Sequence, residues 1–156
     1  MKVVYPICCG VDVHKTFLVA IIITTTKEIE PHYTKKRFST FNNSILDFKK
    51  WLIDNHCHDV CMESTGKHWV PVFNLLEDSV NVIIVNPKWV KAVKGNKDDS
   101  KDSKWIGDLF RIGIVPGSYI PAKPIRILRE YTRYRYKINF LQVKRKESFS
   151  KCFHRL

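Results

Sequence analysis

No apolar run in these 156 residues reaches the ~18 needed to cross a bilayer. The longest, Phe17 to Ile23, has the length of a buried strand. The chain opens without the charged region, apolar stretch and small-residue cleavage site of a secretory leader. There are five cysteines, an odd number, at Cys8, Cys9, Cys57, Cys61 and Cys152, without the spacing of a disulfide-stapled secreted scaffold. A membrane span and an extracellular framework are thereby set aside, and a cytoplasmic protein is expected. A regular pair of separated metal-ligand doublets is missing as well. His56, Cys57, His58 and Cys61 crowd into one cluster between a helix end and a strand, so they read as core and loop residues rather than a zinc site.

What is present in excess is positive charge. The formal net charge is +12, and its distribution is uneven. Residues 123–156 hold eleven Lys and Arg against two acidic residues, a net of +9, which leaves +3 for the rest. A nearly balanced body with a cationic tail points to a phosphate-bearing partner, because neutralising phosphates releases their condensed counterions.

The pattern along the chain alternates between two periods. Ile7 to Val11 is a short apolar strand closed by Asp12, Thr16 to Thr25 is a β-branched strand, and His32 to Ser39 alternates as a third. Asn42, Asn43 or Ser44 caps a helix on which Ile45, Phe48, Trp51 and Leu52 recur, ending near Asn55. Asp59 to Met62 is a buried strand and His68 to Asp78 a helix. Asn81 to Val85 is another strand, followed by a short helix from Pro87 to Val93. Asp102 to Arg111 is a helix with Trp105, Ile106, Leu109 and Phe110 inward, and Gly113 to Pro124 a loop with room for a short strand. Ile127, Tyr131, Tyr134, Ile138 and Leu141 then mark a short a/d seam. An antiparallel meander followed by strand–helix units gives a mixed α/β sheet with flanking helices, the order a ribonuclease-H-like fold requires. The expected domains are residues 1–120, and 121–156 as the start of a basic coiled-coil or helical arm.

Acidic residues fall at telling places in that order. Asp12 ends the first strand and Glu63 the fourth, on the edge where open α/β sheets carry their sites. Asp99 and Asp102 are three apart and share a face if helical. Four converging carboxylates stay ionised only with positive charge among them. Hard divalent ions such as Mg²⁺, with Mn²⁺ as a substitute, meet that need through oxygen ligands. Two such ions ~3.5–4 Å apart would stabilise the attacking and leaving oxygens of a phosphodiester. Asp12 is then expected to bridge the metals, Glu63 and Asp102 to hold one each, and Asp99 to complete the shell.

The motifs around these acids carry a resemblance. Gly10-Val11-Asp12-Val13-His14-Lys15, Met62-Glu63-Ser64-Thr65-Gly66 with Trp69 downstream, Val85-Asn86-Pro87, and Lys97-Asp98-Asp99-Ser100-Lys101-Asp102-Ser103 occur in order. Together they resemble the insertion-sequence transposases with a RuvC-like DEDD domain, the group that includes the Piv invertases. In the last block Asp98 and Ser103 replace the Thr and Ala of the family pattern. Ile127 to Arg135 is similar to the Arg-rich helix that follows the catalytic domain. The resemblance implies a RuvC-like fold, Mg²⁺, and Asp12, Glu63, Asp99 and Asp102 as both the catalytic and the metal-binding set. It also implies DNA as partner, a structured guide RNA, and a homo-oligomer formed through the helical arm in the full-length protein, with no membrane partner. Candidate nucleic-acid contacts are Lys15, Lys97, Lys101, Arg126, Arg129, Arg133, Arg135 and Lys137. Relatives are longer and carry a second, serine-containing domain thought to supply the nucleophile. The expectation is therefore a truncated transposase domain with incomplete activity on its own. The alternatives are a stand-alone metal-dependent nuclease or Holliday-junction resolvase, and an inactive nucleic-acid-binding remnant.

Overall fold

The structure is a computed structural model that describes residues 2–25, 30–64, 66–88 and 99–153, without the side chains of 99–101 and 148–153. The chain forms two compact units, Met1–Tyr119 and Ile120–Leu156.

The first unit is built on one five-stranded sheet. Its strands are β1 (Ile7–Val13), β2 (Phe17–Thr25), β3 (Pro31–Ser39), β4 (Asp59–Glu63) and β5 (Asn81–Val85). The order across the sheet is β3-β2-β1-β4-β5. β1, β2 and β3 form an antiparallel meander, whereas β4 and β5 run parallel to β1. β1 and β2 are buried almost throughout, which their continuous apolar sequence requires of central strands covered on both faces. The helices of this unit are α1 (Asn42–Asp54), α2 (Trp69–Leu76) and α3 (Asp99–Arg111).

Pleating divides the sheet residues between two helical layers. One face packs Cys8, Ile21, Ile23, Cys61 and Val85 against Ile106 and Phe110 of α3. The other half of the core includes Ile45, Phe48 and Leu52 of α1 and Val72, Phe73 and Leu76 of α2, all buried. Phe38 of β3 joins it through ring contacts with Phe48 and Trp51. α3 approaches the sheet unusually closely. A Cβ on Gly10 would overlap the carbonyl oxygen of Ser103 and stand 2.5 Å from the amide nitrogen of Gly107. Glycine at position 10 is thus what lets helix and strand backbones meet. The amides of Val4 and Tyr5, before β1, donate to the carbonyl of Arg111 at the far end of α3. The helix therefore runs antiparallel to β1, with its first turn toward the end of β1 that bears Asp12.

Several boundaries differ from the sequence reading. Asp12 does not close β1, because the ladder continues through Asp12↔Val19 and Val13↔Leu18. Glu63 does end β4, as expected, paired with Val85. No Asn or Ser side chain caps α1. Its N-cap is Phe41, and Ser44 Oγ instead accepts a hydrogen bond from the Ser39 amide. α3 starts at Asp99, three residues earlier than expected. Asn86 Oδ1 accepts from the Lys88 amide at the start of a helical turn, and the rest of the helix expected to reach Val93 lies outside the described residues. The Gly113–Pro124 loop contributes one antiparallel bridge, Gly117 to Val85.

The second unit is dominated by α4 (Lys123–Phe153), a helix of 31 residues. The seam residues Ile127, Tyr131, Tyr134, Ile138 and Leu141 are all exposed on it. Arg126 Nη1 donates to the Pro121 carbonyl, and Arg133 pairs with Glu130 at 3.2 Å. No helix among the described residues is long and apolar enough to cross a membrane.

Candidate functional site at the sheet edge

β1 and β4 are hydrogen-bonded neighbours in register Val11↔Met62. The next residues along the two strands are Asp12 and Glu63, so the parallel pairing sets these carboxylates side by side. Alternation then puts both on the face that bears Gly10 and Cys61, the face covered by α3. The Asp12 side chain is 14% exposed and Glu63 is 8% exposed. Carboxylates this far from water require partners. Asp12 has one in His14, whose Nε2 lies 3.1 Å from Oδ2 of Asp12. That distance suits an ion pair when the imidazole is protonated, although the buried Nε2 is not aligned for a hydrogen bond. The His14 ring rests on Phe17 with centroids 4.3 Å apart.

Asp102 is half-buried in the first turns of α3, next to Ser103, whose carbonyl abuts Gly10. Gly10 and Asp12 are two residues apart on one strand face, so the start of α3 lies near the Asp12 end of β1. Acidic residues also suit a helix N-terminus on electrostatic grounds alone. Asp99 is the first residue of α3, and its side chain is outside the described atoms, as is that of Lys101. Lys97 lies wholly outside the described residues. The structure thus brings Asp12 and Glu63 together and places Asp102 on the helix above the same face. Among the described residues, no group of three or more His, Cys, Asp or Glu is gathered tightly enough to hold a metal ion. The donor chemistry of Asp12, Glu63 and Asp102 is nonetheless all carboxylate oxygen, which suits a hard divalent cation.

The four cysteines of the first unit are core groups. Cys8, Cys9, Cys57 and Cys61 are buried and unpaired with one another. Burial pushes the thiols of Cys8 and Cys57 up from 9.0 to about 12 and raises those of Cys9 and Cys61 as well. His56 and His58 are exposed, and His56 takes a positive φ of 52° just after α1. The two thiols of the His-Cys cluster are core groups: Cys61 packs beside Cys8 and Ile106, and Cys57 Sγ lies 3.6 Å from the Asp59 carbonyl.

Lys15 is exposed in the β1–β2 turn, its carbonyl accepting from Thr40 Oγ1. Arg126, Arg129, Arg133, Arg135 and Lys137 all lie on α4. The sequence reading missed the cations of β3. Lys35, Lys36 and Arg37 are consecutive and exposed on this edge strand. Their spacing along the chain was visible, but their alignment with Asp12 depends on the register of three strands.

Comparison with known proteins agrees with this architecture. The structure of Thermus thermophilus RuvC matches 72% of this chain and 99% of that one, at 11% identity and a TM-score of 0.52. RuvC of T. thermophilus in complex with a Holliday junction substrate covers 73% of this chain and 100% of its own, at 11% identity and a TM-score of 0.50. A Fowlpox virus resolvase in complex with Holliday junction DNA gives 13% identity, coverage of 67% and 97%, and a TM-score of 0.50. At these identities the likeness is one of fold, and the fold is RuvC-like. No curated protein matches the chain. A family model described as a transposase, that of the DEDD enzymes of the IS110 group, matches residues 9–155. With the match spanning nearly the whole chain, this protein belongs to the DEDD transposase family.

Proposed function

We propose that this chain is the metal-binding, DNA-gripping domain of its transposase, with Asp12, Glu63, Asp99 and Asp102 as the carboxylate set that holds Mg²⁺. Family membership makes the reaction class DNA strand cleavage and transfer. The observation that carries the residue assignment is the adjacency of Asp12 and Glu63 on parallel strands, at the end of the sheet toward which α3 directs its first turn. A bound divalent ion there would supply charge neutralisation and polarise a phosphate oxygen. The protein's own residues orient the acids: β1 and β4 fix two of them in a rigid ladder, and His14 stands against Asp12.

DNA is the proposed partner. Resolvases of the same fold have been captured on Holliday junction DNA, and α4 offers Arg126, Arg129, Arg133, Arg135 and Lys137 to a phosphate backbone. The exposed apolar seam of α4 supports self-association through the arm. A structured RNA partner, Mg²⁺ as the resident ion and a cytoplasmic location are part of the same reading.

The test is DNA binding in Ca²⁺, which supports ligation of phosphate without turnover, followed by Mg²⁺. The wild-type chain should bind a labelled element-end duplex more tightly with divalent metal than without. Asp12→Asn with Glu63→Gln should erase that difference. A metal-independent affinity in the wild type would overturn the assignment. Paired symmetric nicks in a four-way junction would favour the stand-alone resolvase instead.

A further inference from the structure

β3 is an outer strand of the sheet and carries Lys35, Lys36 and Arg37 with no acidic residue among its nine. Lysines on an edge strand commonly prevent edge-to-edge pairing, a task any exposed cation performs. Lys36 fits that description: it faces the α1 layer, its Nζ 5.1 Å from the Phe38 ring and 6.0 Å from the Trp51 ring. The other two cations are placed more specifically. Arg37 pairs with Val19, and Val19 pairs with Asp12, so the three stand in one row across the sheet. Lys35 occupies the equivalent row through Ile21 to Gly10. Residues paired across strands share a face, so Lys35 and Arg37 are on the same face as Asp12, two strands or roughly 10 Å away at the backbone.

Arg37 is also held in place. Its Cζ lies 3.8 Å over the Phe17 ring, Phe17 packs on His14, and His14 reaches Asp12. A guanidinium already held over an aromatic ring loses little side-chain freedom on binding an anion. Further along β3, Lys104 of α3 sets its Nζ 4.2 Å from the ring centroid of Tyr33, which shares the face of Lys35 and Arg37. Lys104, Lys35 and Arg37 thus succeed one another along β3 toward the row that contains Asp12.

We propose that this line of cations binds the sugar-phosphate backbone of the DNA strand entering the Asp12–Glu63 edge, with Arg37 the phosphate clamp nearest the acids. The inference rests on the metal-site reading above for what the strand approaches. Electrostatics favours the pairing: the acids repel phosphate unless metal is bound, and a cation row beside them offsets that repulsion for the flanking backbone.

The experiment uses the full chain and a labelled duplex in Ca²⁺, titrated over a range of salt. Arg37→Gln should flatten the log K against log salt slope by about 0.9, the value of one phosphate contact. It should also weaken binding several-fold, whereas Lys50→Gln on α1 should change neither. Arg37→Lys should keep the slope. Should Arg37→Gln melt below the assay temperature, the exposed pair Lys35→Gln and Lys104→Gln gives the same readout. Slope and affinity equal to wild type in these variants would overturn the proposal. Thermal stabilisation by Mn²⁺, measured on wild type and Arg37→Gln in parallel, reports on the metal site separately. Its absence in wild type would count against the metal reading alone.

Discussion

Two residues at the contact between α3 and β1 make opposite predictions. Gly10→Ala drives a methyl group into the backbone of Ser103 and Gly107, and neither helix nor strand can yield by rotating a side chain. Overpacking of this kind costs about 1–3 kcal/mol and occasionally more. We expect a clear fall in denaturation midpoint for this variant, and no change would mean that α3 does not lie so close. Ser103 is fully buried, and its Oγ has no hydrogen-bond partner among the described residues. A buried, unsatisfied hydroxyl is a penalty of about 1–3 kcal/mol, and alanine is also the better helix former. Ser103→Ala should therefore raise the midpoint. A lowered one would reveal a partner for the hydroxyl. Ser103 stands where the family pattern has Ala, so the sequence marked the position without showing that its hydroxyl would be stranded.

At the scale of elements, the order of strands and helices was legible because each apolar run has a distinct period. Phe17 to Ile23 is apolar without a break and became a central strand, while Ile45, Phe48 and Leu52 recur at helical spacing and became the buried stripe of α1. Ends were less legible. Glu63 ends β4 as read, but Asp12 does not end β1, because pairing with β2 carries the ladder on to Val13. Asn42, Asn43 and Ser44 all have capping side chains, but the chain enters α1 from Phe41. The pairing of Asp12 with Glu63 was inferable from strand ends. The row Arg37, Val19, Asp12 was not, since nothing local fixes the register of β3. For α4 the prediction is electrostatic. Changing Arg129, Arg133, Arg135 and Lys137 together to Gln leaves an exposed helix intact. It should flatten the salt slope of DNA binding by up to about 0.9 for each phosphate that these side chains neutralise. An unchanged slope would assign DNA binding to the first unit.

For the whole molecule, a reduced and protected thiol set follows from the core. Cys8, Cys9, Cys57 and Cys61 should resist a thiol reagent at pH 8 in the folded protein and react on unfolding. Prompt modification of all four would contradict the packing. The raised thiol pKa values also carry a sign. Their folded values exceed the unfolded 9.0, so the neutral form is favoured by the fold, and the contribution is complete below pH 9. It is lost as pH climbs toward about 12, where Cys8 and Cys57 ionise even when folded. The central claim, that the acids at the sheet edge form a divalent-metal site, is tested most directly by thermal denaturation with and without Mn²⁺. Native-state binding adds to stability, and bound cation relieves the repulsion among carboxylates. The wild-type melting temperature should rise with Mn²⁺. Asp12→Asn with Glu63→Gln should melt higher than wild type without metal and should not respond to it. An equal Mn²⁺ response in the double variant would contradict the account.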